Sequence, residues 1–149
     1  MIMTTDVEEV IREIRAASEH CFPDAEIVCL FGSFARKDVR PFSDVDVGLQ
    51  LSQDPDILTL GDMTGRLEER IGRSVDILLM KDLAERDPEL AYRIAAEAIL
   101  ISQHDRDAFA FFKKRAFLHY FDTEHLRTLT RSTLHRRVSG GNMGKRNYV

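Results

Sequence analysis

The sequence is poor in the residues that staple, span or coordinate. Only two of its 149 residues are cysteine, Cys21 and Cys29, which excludes a disulfide framework and a four-cysteine zinc site. They read as core thiols. The five histidines, at 20, 104, 119, 125 and 135, include no H-x-x-x-H pair, which argues against a zinc hydrolase. No run approaches the roughly 18 consecutive apolar residues of a membrane-spanning helix. The first residues, MIMTTDVEEV, are acidic where a secretory signal is basic. The expectation is a cytoplasmic chain with no membrane contact. A G-x-x-x-x-G-K-[ST] phosphate loop is missing, and Gly61 and Gly65 lack the setting of a dinucleotide-binding turn.

What is present suits one domain of roughly 150 residues, with 44% hydrophobic residues to fill one core. The net charge of −4 hides a division. Residues 1–103 carry 11 Lys and Arg against 21 Asp and Glu, whereas residues 104–149 carry 10 against 4. The basic arm includes Lys113, Lys114, Arg115, Arg127, Arg131, Arg136 and Arg137. No aromatic-basic RNA-binding module accompanies it, and an acidic body repels a long polyanion. Docking on an acidic protein partner is the preferred reading, and nucleic acid is not expected as a direct ligand.

Periodicity sets the elements. Thr5 with Glu8 reads as a capping box ahead of a helix whose face is Val7, Val10, Ile11, Ile14 and Ala17. Glu26–Phe31 reads as a buried strand. Asp44–Leu51 alternates, with Val45, Val47, Leu49 and Leu51 opposite Asp44, Asp46, Gly48 and Gln50. A helix over 56–71, with Ile57, Leu60, Met63, Leu67 and Ile71 on one stripe, ends at Gly72. Ser74–Met80 is a third strand. Pro88 starts a helix expected to run through RIAAEAILISQHD, 93–105. A last helical stretch covers about 105–137, with a break near Asp122 and a stripe of Phe109, Phe112, Ala116 and Tyr120. The order α-β-β-α-β-α-α implies an α/β (α+β) domain, a small mixed β-sheet with helices packed on one face.

The informative segment is Gly32–Asp46. Gly32 and Ser33 follow an apolar strand directly, and residues 34–38 can form a helical turn. Glycine lets a backbone pass close to a ligand, and the free amides of a helix start attract phosphate oxygens. Asp44 and Asp46, two apart on a strand, point to one side and repel each other unless a cation intervenes. A hard divalent ion such as Mg²⁺ takes such oxygen ligands and completes its shell with water and substrate phosphates. Asp76 interrupts the apolar third strand. If the two strands are neighbours, three carboxylates converge, and two ions there would activate a hydroxyl and stabilise a leaving pyrophosphate.

Gly32-Ser33, ten residues, then Asp44-x-Asp46 is the G-S-x₁₀-D-x-D signature of the DNA polymerase β-like nucleotidyltransferases. Over most of its length the chain resembles the minimal nucleotidyltransferases (MNT) encoded beside HEPN-domain toxins. Residues 111–127, with Arg115, Tyr120 and Asp122, are similar to the C-terminal helix of MNT antitoxins. The resemblance implies a polymerase β-like core over 1–103 and a helical extension over 104–137 packed on it, and the glycine-rich, polar and basic end reads as a flexible tail over 138–149. It further implies a type VII-like antitoxin that transfers AMP from ATP to a tyrosine of a HEPN ribonuclease toxin. Gly32 and Ser33 would then hold phosphates, with Arg36 and Lys37 near the triphosphate. Asp44, Asp46 and Asp76 would bind Mg²⁺, two ions in the fullest form, and Asp76 would help deprotonate the acceptor. Two alternatives stand beside this: an antitoxin that acts by occlusion, and an enzyme that modifies a small-molecule hydroxyl.

Overall fold

The computed structural model describes residues 4–124 with 126, 128, 129 and 131. The expected tail over 138–149 and the end of the last helix, with Arg136 and Arg137, lie outside the described residues. The elements are α1 (Val7–Cys21), β1 (Ile27–Phe31), α2 (Gly32–Ala35), β2 (Val45–Gln50), α3 (Ile57–Ile71), β3 (Val75–Leu79), α4 (Leu83–Arg86), α5 (Pro88–Glu97), β4 (Ile99–Gln103) and α6 (Ala108–Asp122). The four strands form one sheet in the order β3-β2-β1-β4. β2 and β3 are parallel, and the other pairs are antiparallel, so the sheet is mixed as expected.

Helices cover both faces of the sheet rather than one. The reason lies in β1, which is apolar on every position (IVCLF) and therefore needs cover on two sides. Val28 and Leu30 join Val45, Val47 and Leu49 against Val10 and Ile14 of α1 and Met63, Leu67 and Ile71 of α3. Ile27 and Cys29 face the other way, onto a second core with Met80, Leu83, Ala91, Ile94, Phe109, Phe112 and Ala116. Burial there pushes the Cys29 thiol up to about 12, so it is an inert core thiol.

Three local expectations change. The N-cap of α1 is Asp6, whose carboxylate accepts from the Glu8 amide at 3.0 Å, while Thr4 rather than Thr5 supplies the supporting hydroxyl, donating to Glu9 at 2.7 Å. Ile57 is 83% exposed at the start of α3, off the stripe that Met63, Leu67 and Ile71 bury. The expected helix over 93–105 stops at Glu97, and Ile99–Gln103 is β4. β-Branched residues favour the pleated state, and β1 offers this segment an open edge whose backbone groups need partners. Elsewhere the signals hold: Asp56 caps α3 through the Thr59 amide, Gly72 ends it at φ +76°, and Pro88 opens α5 behind the N-cap Asp87. Among the described residues, no helix is long and apolar enough to cross a membrane.

Candidate functional site

The site forms where β1 ends. Antiparallel register sets Phe31 of β1 opposite Asp46 of β2, and parallel register sets Asp46 beside Asp76 of β3. Immediately after Phe31, Gly32 turns the chain at φ +73°. That conformation is costly for any residue with a Cβ. A methyl group at Gly32 would also overlap the Asp46 carboxylate. Two halves of the motif, separated by ten residues in sequence, are therefore in contact.

Asp44 precedes β2 and is exposed; Asp46 is half-buried; Asp76, on the edge strand, is exposed. Val75, Ile77 and Leu79 pack on the opposite face, as the alternation requires. Burial raises the Asp46 carboxyl above its ordinary range, and the Asp76 and Asp44 carboxylates raise it further, with Arg36 opposing them. No described residue donates a hydrogen bond to the Asp46 carboxylate.

A cleft of about 310 Å³ opens beside these groups, lined by Phe31, Gly32, Ser33, Arg36, Asp44 and Asp46, and from α5 by Leu90, Arg93 and Glu97. Arg36 pairs with Glu97 at 3.1 Å across it. Lys37, at φ +59°, closes the turn after α2 and does not line the cleft. Asp76 also stands outside the lining, next to Asp46 at the sheet edge. Arg93 is a cleft residue that sequence reading missed. It stands four residues before Glu97 on one face of α5, and that spacing was the available signal, but only the tertiary docking of α5 onto the cleft gives it meaning.

Among the described residues, no group of three or more His, Cys, Asp or Glu side chains is arranged to hold a metal ion. The chemistry at Asp46 nevertheless suits a hard cation. Its donors are all carboxylate oxygens, and its neighbours impose a negative field that an ion would relieve.

The polymerase beta nucleotidyltransferase family profile matches residues 13–107. A Methanocaldococcus jannaschii protein, provisionally named a protein adenylyltransferase, is 33% identical over 70 residues, 47% of this chain and 72% of that protein. A toxin–antitoxin crystal structure with AMP-PNP superposes with TM-score 0.73 at 14% identity, covering 84% of this chain and 98% of the other. A tri-AMPylated Shewanella oneidensis HEPN toxin in complex with its MNT antitoxin gives TM-score 0.65 at 12% identity, covering 87% and 99%. At such identities the structural likeness is one of fold. With the profile running from within α1 through the Gly-Ser turn, all four strands and the three aspartates, the chain belongs to the polymerase β nucleotidyltransferase family.

Proposed function

We propose that the chain is a Mg²⁺-dependent protein adenylyltransferase, a cytoplasmic antitoxin that transfers AMP from ATP to a tyrosine of a HEPN-domain ribonuclease toxin and silences it. The observation that carries this reading is the contact between Gly32 and the Asp46 carboxylate, which sets a phosphate-binding turn directly against an acidic strand. The name of the archaeal relative and the toxin–antitoxin identity of the structural neighbours support the substrate and partner.

In this reading Gly32 leaves the backbone open to phosphate oxygens and Ser33 donates its hydroxyl. Arg36 and Arg93 flank the triphosphate from α2 and α5. Lys37 adds long-range positive charge only. Asp44, Asp46 and Asp76 would hold the metal. When bound, such an ion polarises phosphoryl oxygens and acidifies the incoming hydroxyl. Asp76 stands on the edge strand, open to an approaching protein, and takes the proton of the tyrosine hydroxyl. The tyrosine oxygen bonds to the α-phosphorus, the bond to the bridging oxygen breaks, and pyrophosphate leaves.

Incubating the purified chain with labelled ATP, Mg²⁺ and the HEPN-domain protein encoded beside it should label that protein on tyrosine. Absence of label, with ATP binding demonstrated in the same preparation, rejects the enzymatic reading. Occlusion alone is favoured by one feature: α6 exposes Phe111, Leu118 and Phe121 to 62%, 55% and 57%, a surface suited to a partner. An Asp44→Ala/Asp46→Ala double variant that still protects cells from the toxin would select occlusion.

A further inference from the structure

Arg73 is the one charged side chain in the interior of the described residues, 6% exposed, and it has no carboxylate partner. Its guanidinium donates instead to backbone carbonyls. Nε reaches the Thr4 carbonyl at 2.7 Å, and one terminal nitrogen reaches the carbonyls of Arg40 at 3.1 Å, Pro41 at 3.1 Å and Ser43 at 3.2 Å. The same group lies over the ring of Phe34, 5.3 Å from its centroid. Phe34 is fully buried and directly follows Ser33, whereas Ser43 directly precedes Asp44.

One side chain therefore touches the residues that adjoin both halves of the motif, Phe34 after Ser33 and Ser43 before Asp44. We infer that Arg73 is a positioning residue of the site, fixing the 40–43 loop so that Asp44 stands at a set distance from the Gly32–Ser33 turn. The loop needs such a clamp. It is an exposed turn held internally by the Arg40 amide donating to Ser43 Oγ at 2.8 Å and the Ser43 amide donating to the Arg40 carbonyl at 3.0 Å. It buries no apolar anchor of its own, since Phe42 is 93% exposed. Gly72 at φ +76° turns the chain out of α3 and sets up Arg73, and the Val45 amide donates to the Ser74 carbonyl at 2.9 Å. The end of α3 is thus tied to the entry of β2. A planar fork with five donors satisfies carbonyls approaching from several segments; an ammonium with three donors and no plane does not.

This role rests on the function proposed above, and the test separates the two. Arg73→Lys and Arg73→Met are assayed for AMP transfer, for ATP affinity, for thermal midpoint and for chymotryptic cleavage after Phe42. A clamp on the loop predicts ATP affinity within about threefold of the unmodified chain and transfer about 10-fold lower for Arg73→Lys, approaching 100-fold for Arg73→Met, as expected for a displaced reacting group. It also predicts cleavage after Phe42 at least about fivefold faster through local opening, at temperatures where the variant is folded. If Arg73→Met does not fold, Arg73→Lys decides. If the unmodified chain transfers AMP and Arg73→Lys matches it in transfer and in resistance to cleavage, the positioning role is overturned. Transfer that falls only in proportion to the folded fraction overturns it too. If the unmodified chain binds ATP and labels no acceptor, the function itself fails, and the positioning role with it.

Discussion

Asp46 and Gln50 stand on the same face of β2, and each borders a cleft of nearly the same size, about 310 Å³ at the Asp46 end and about 330 Å³ at the other. Volume does not separate the two ends; partners do. At the Gln50 end, Gln50 Nε2 donates to the Glu26 carboxylate at 2.8 Å, the Glu26 amide donates to the Gln50 carbonyl at 2.8 Å, and Arg115 pairs with Glu85. At the Asp46 end, the carboxylate has two other carboxylates as neighbours, and Arg36, its opposing cation, is already paired with Glu97. Gly48 closes the face between them, since a methyl there would meet Cys29 Sγ at 2.6 Å and Met80 Sδ at 2.7 Å. Polar groups that serve the fold complete their bonds within it. Carboxylates left in mutual repulsion lower stability, and groups perturbed in this way cluster at functional sites.

The sharpest way to break this contrast is at the acidic end. Asp46→Ala, and likewise Asp44→Ala, should lower AMP transfer by about a thousandfold or more, the scale of a lost metal and phosphate clamp. The thermal midpoint of Asp46→Ala should not fall, because this carboxylate contributes no hydrogen bond to the fold. A folded variant that keeps a tenth of the activity would remove Asp46 from the chemistry.

Much of this contrast is legible in the amino-acid sequence alone. Asp46 and Asp76 follow from strand alternation, because a carboxylate inside an apolar run must face a site or solvent. Gly32 follows from its place between a strand and a short turn. What was not legible depended on tertiary choice. The 99–103 segment carries both periods at once, with Ile94, Ala98 and Ile101 fitting a helix and Ile99 and Ile101 fitting a strand, and only the open edge of β1 decides between them. The second helical face was hidden because β1 is apolar throughout, which reads as buried without saying by what. Arg73 carries no local signal, and the four-residue spacing of Arg93 and Glu97 says nothing of a cleft until α5 docks on it, since each arginine takes its role from a segment distant in sequence.

Gly32→Ala should give the next largest effect. A Cβ at φ +73° costs about 1–2 kcal/mol of stability, and it also forces the Asp46 carboxylate aside. Transfer should fall by about 100-fold, as expected when a reacting group is displaced by an ångström or so. Wild-type transfer with a lowered thermal midpoint would show that the close contact serves the fold alone.

The repulsion itself can be measured. The Asp46 carboxyl is raised above 3.8 by burial, then by Asp76 and Asp44, so the folded chain holds that proton more tightly than the unfolded chain. Stability contributed by the protonated form is full below pH 3.8 and is lost as pH rises through the folded-state value. Asp46→Asn should therefore melt higher than the unmodified chain at pH 7, with the difference vanishing as pH falls below 3.8. Added Mg²⁺ should narrow the gap at pH 7 by stabilising only the chain that keeps its carboxylate. A gap of the same size at every pH would assign the effect to packing instead.

The smallest effect belongs at the other end of β2, and its smallness is the point. Glu26→Ala removes the acceptor of the Gln50 side chain. Both groups are half-buried, and water can replace the lost bond, so the cost should be about 0.5–1 kcal/mol, lowering the thermal midpoint by about 1–4 °C in a chain of this size. AMP transfer should stay within about twofold, since Glu26 lies at the far end of the sheet from Gly32 and Asp46. If transfer instead falls tenfold while the thermal midpoint moves by only those few degrees, the Gln50-end cleft takes part in the reaction, and internally satisfied bonds no longer mark an end of the sheet as structural.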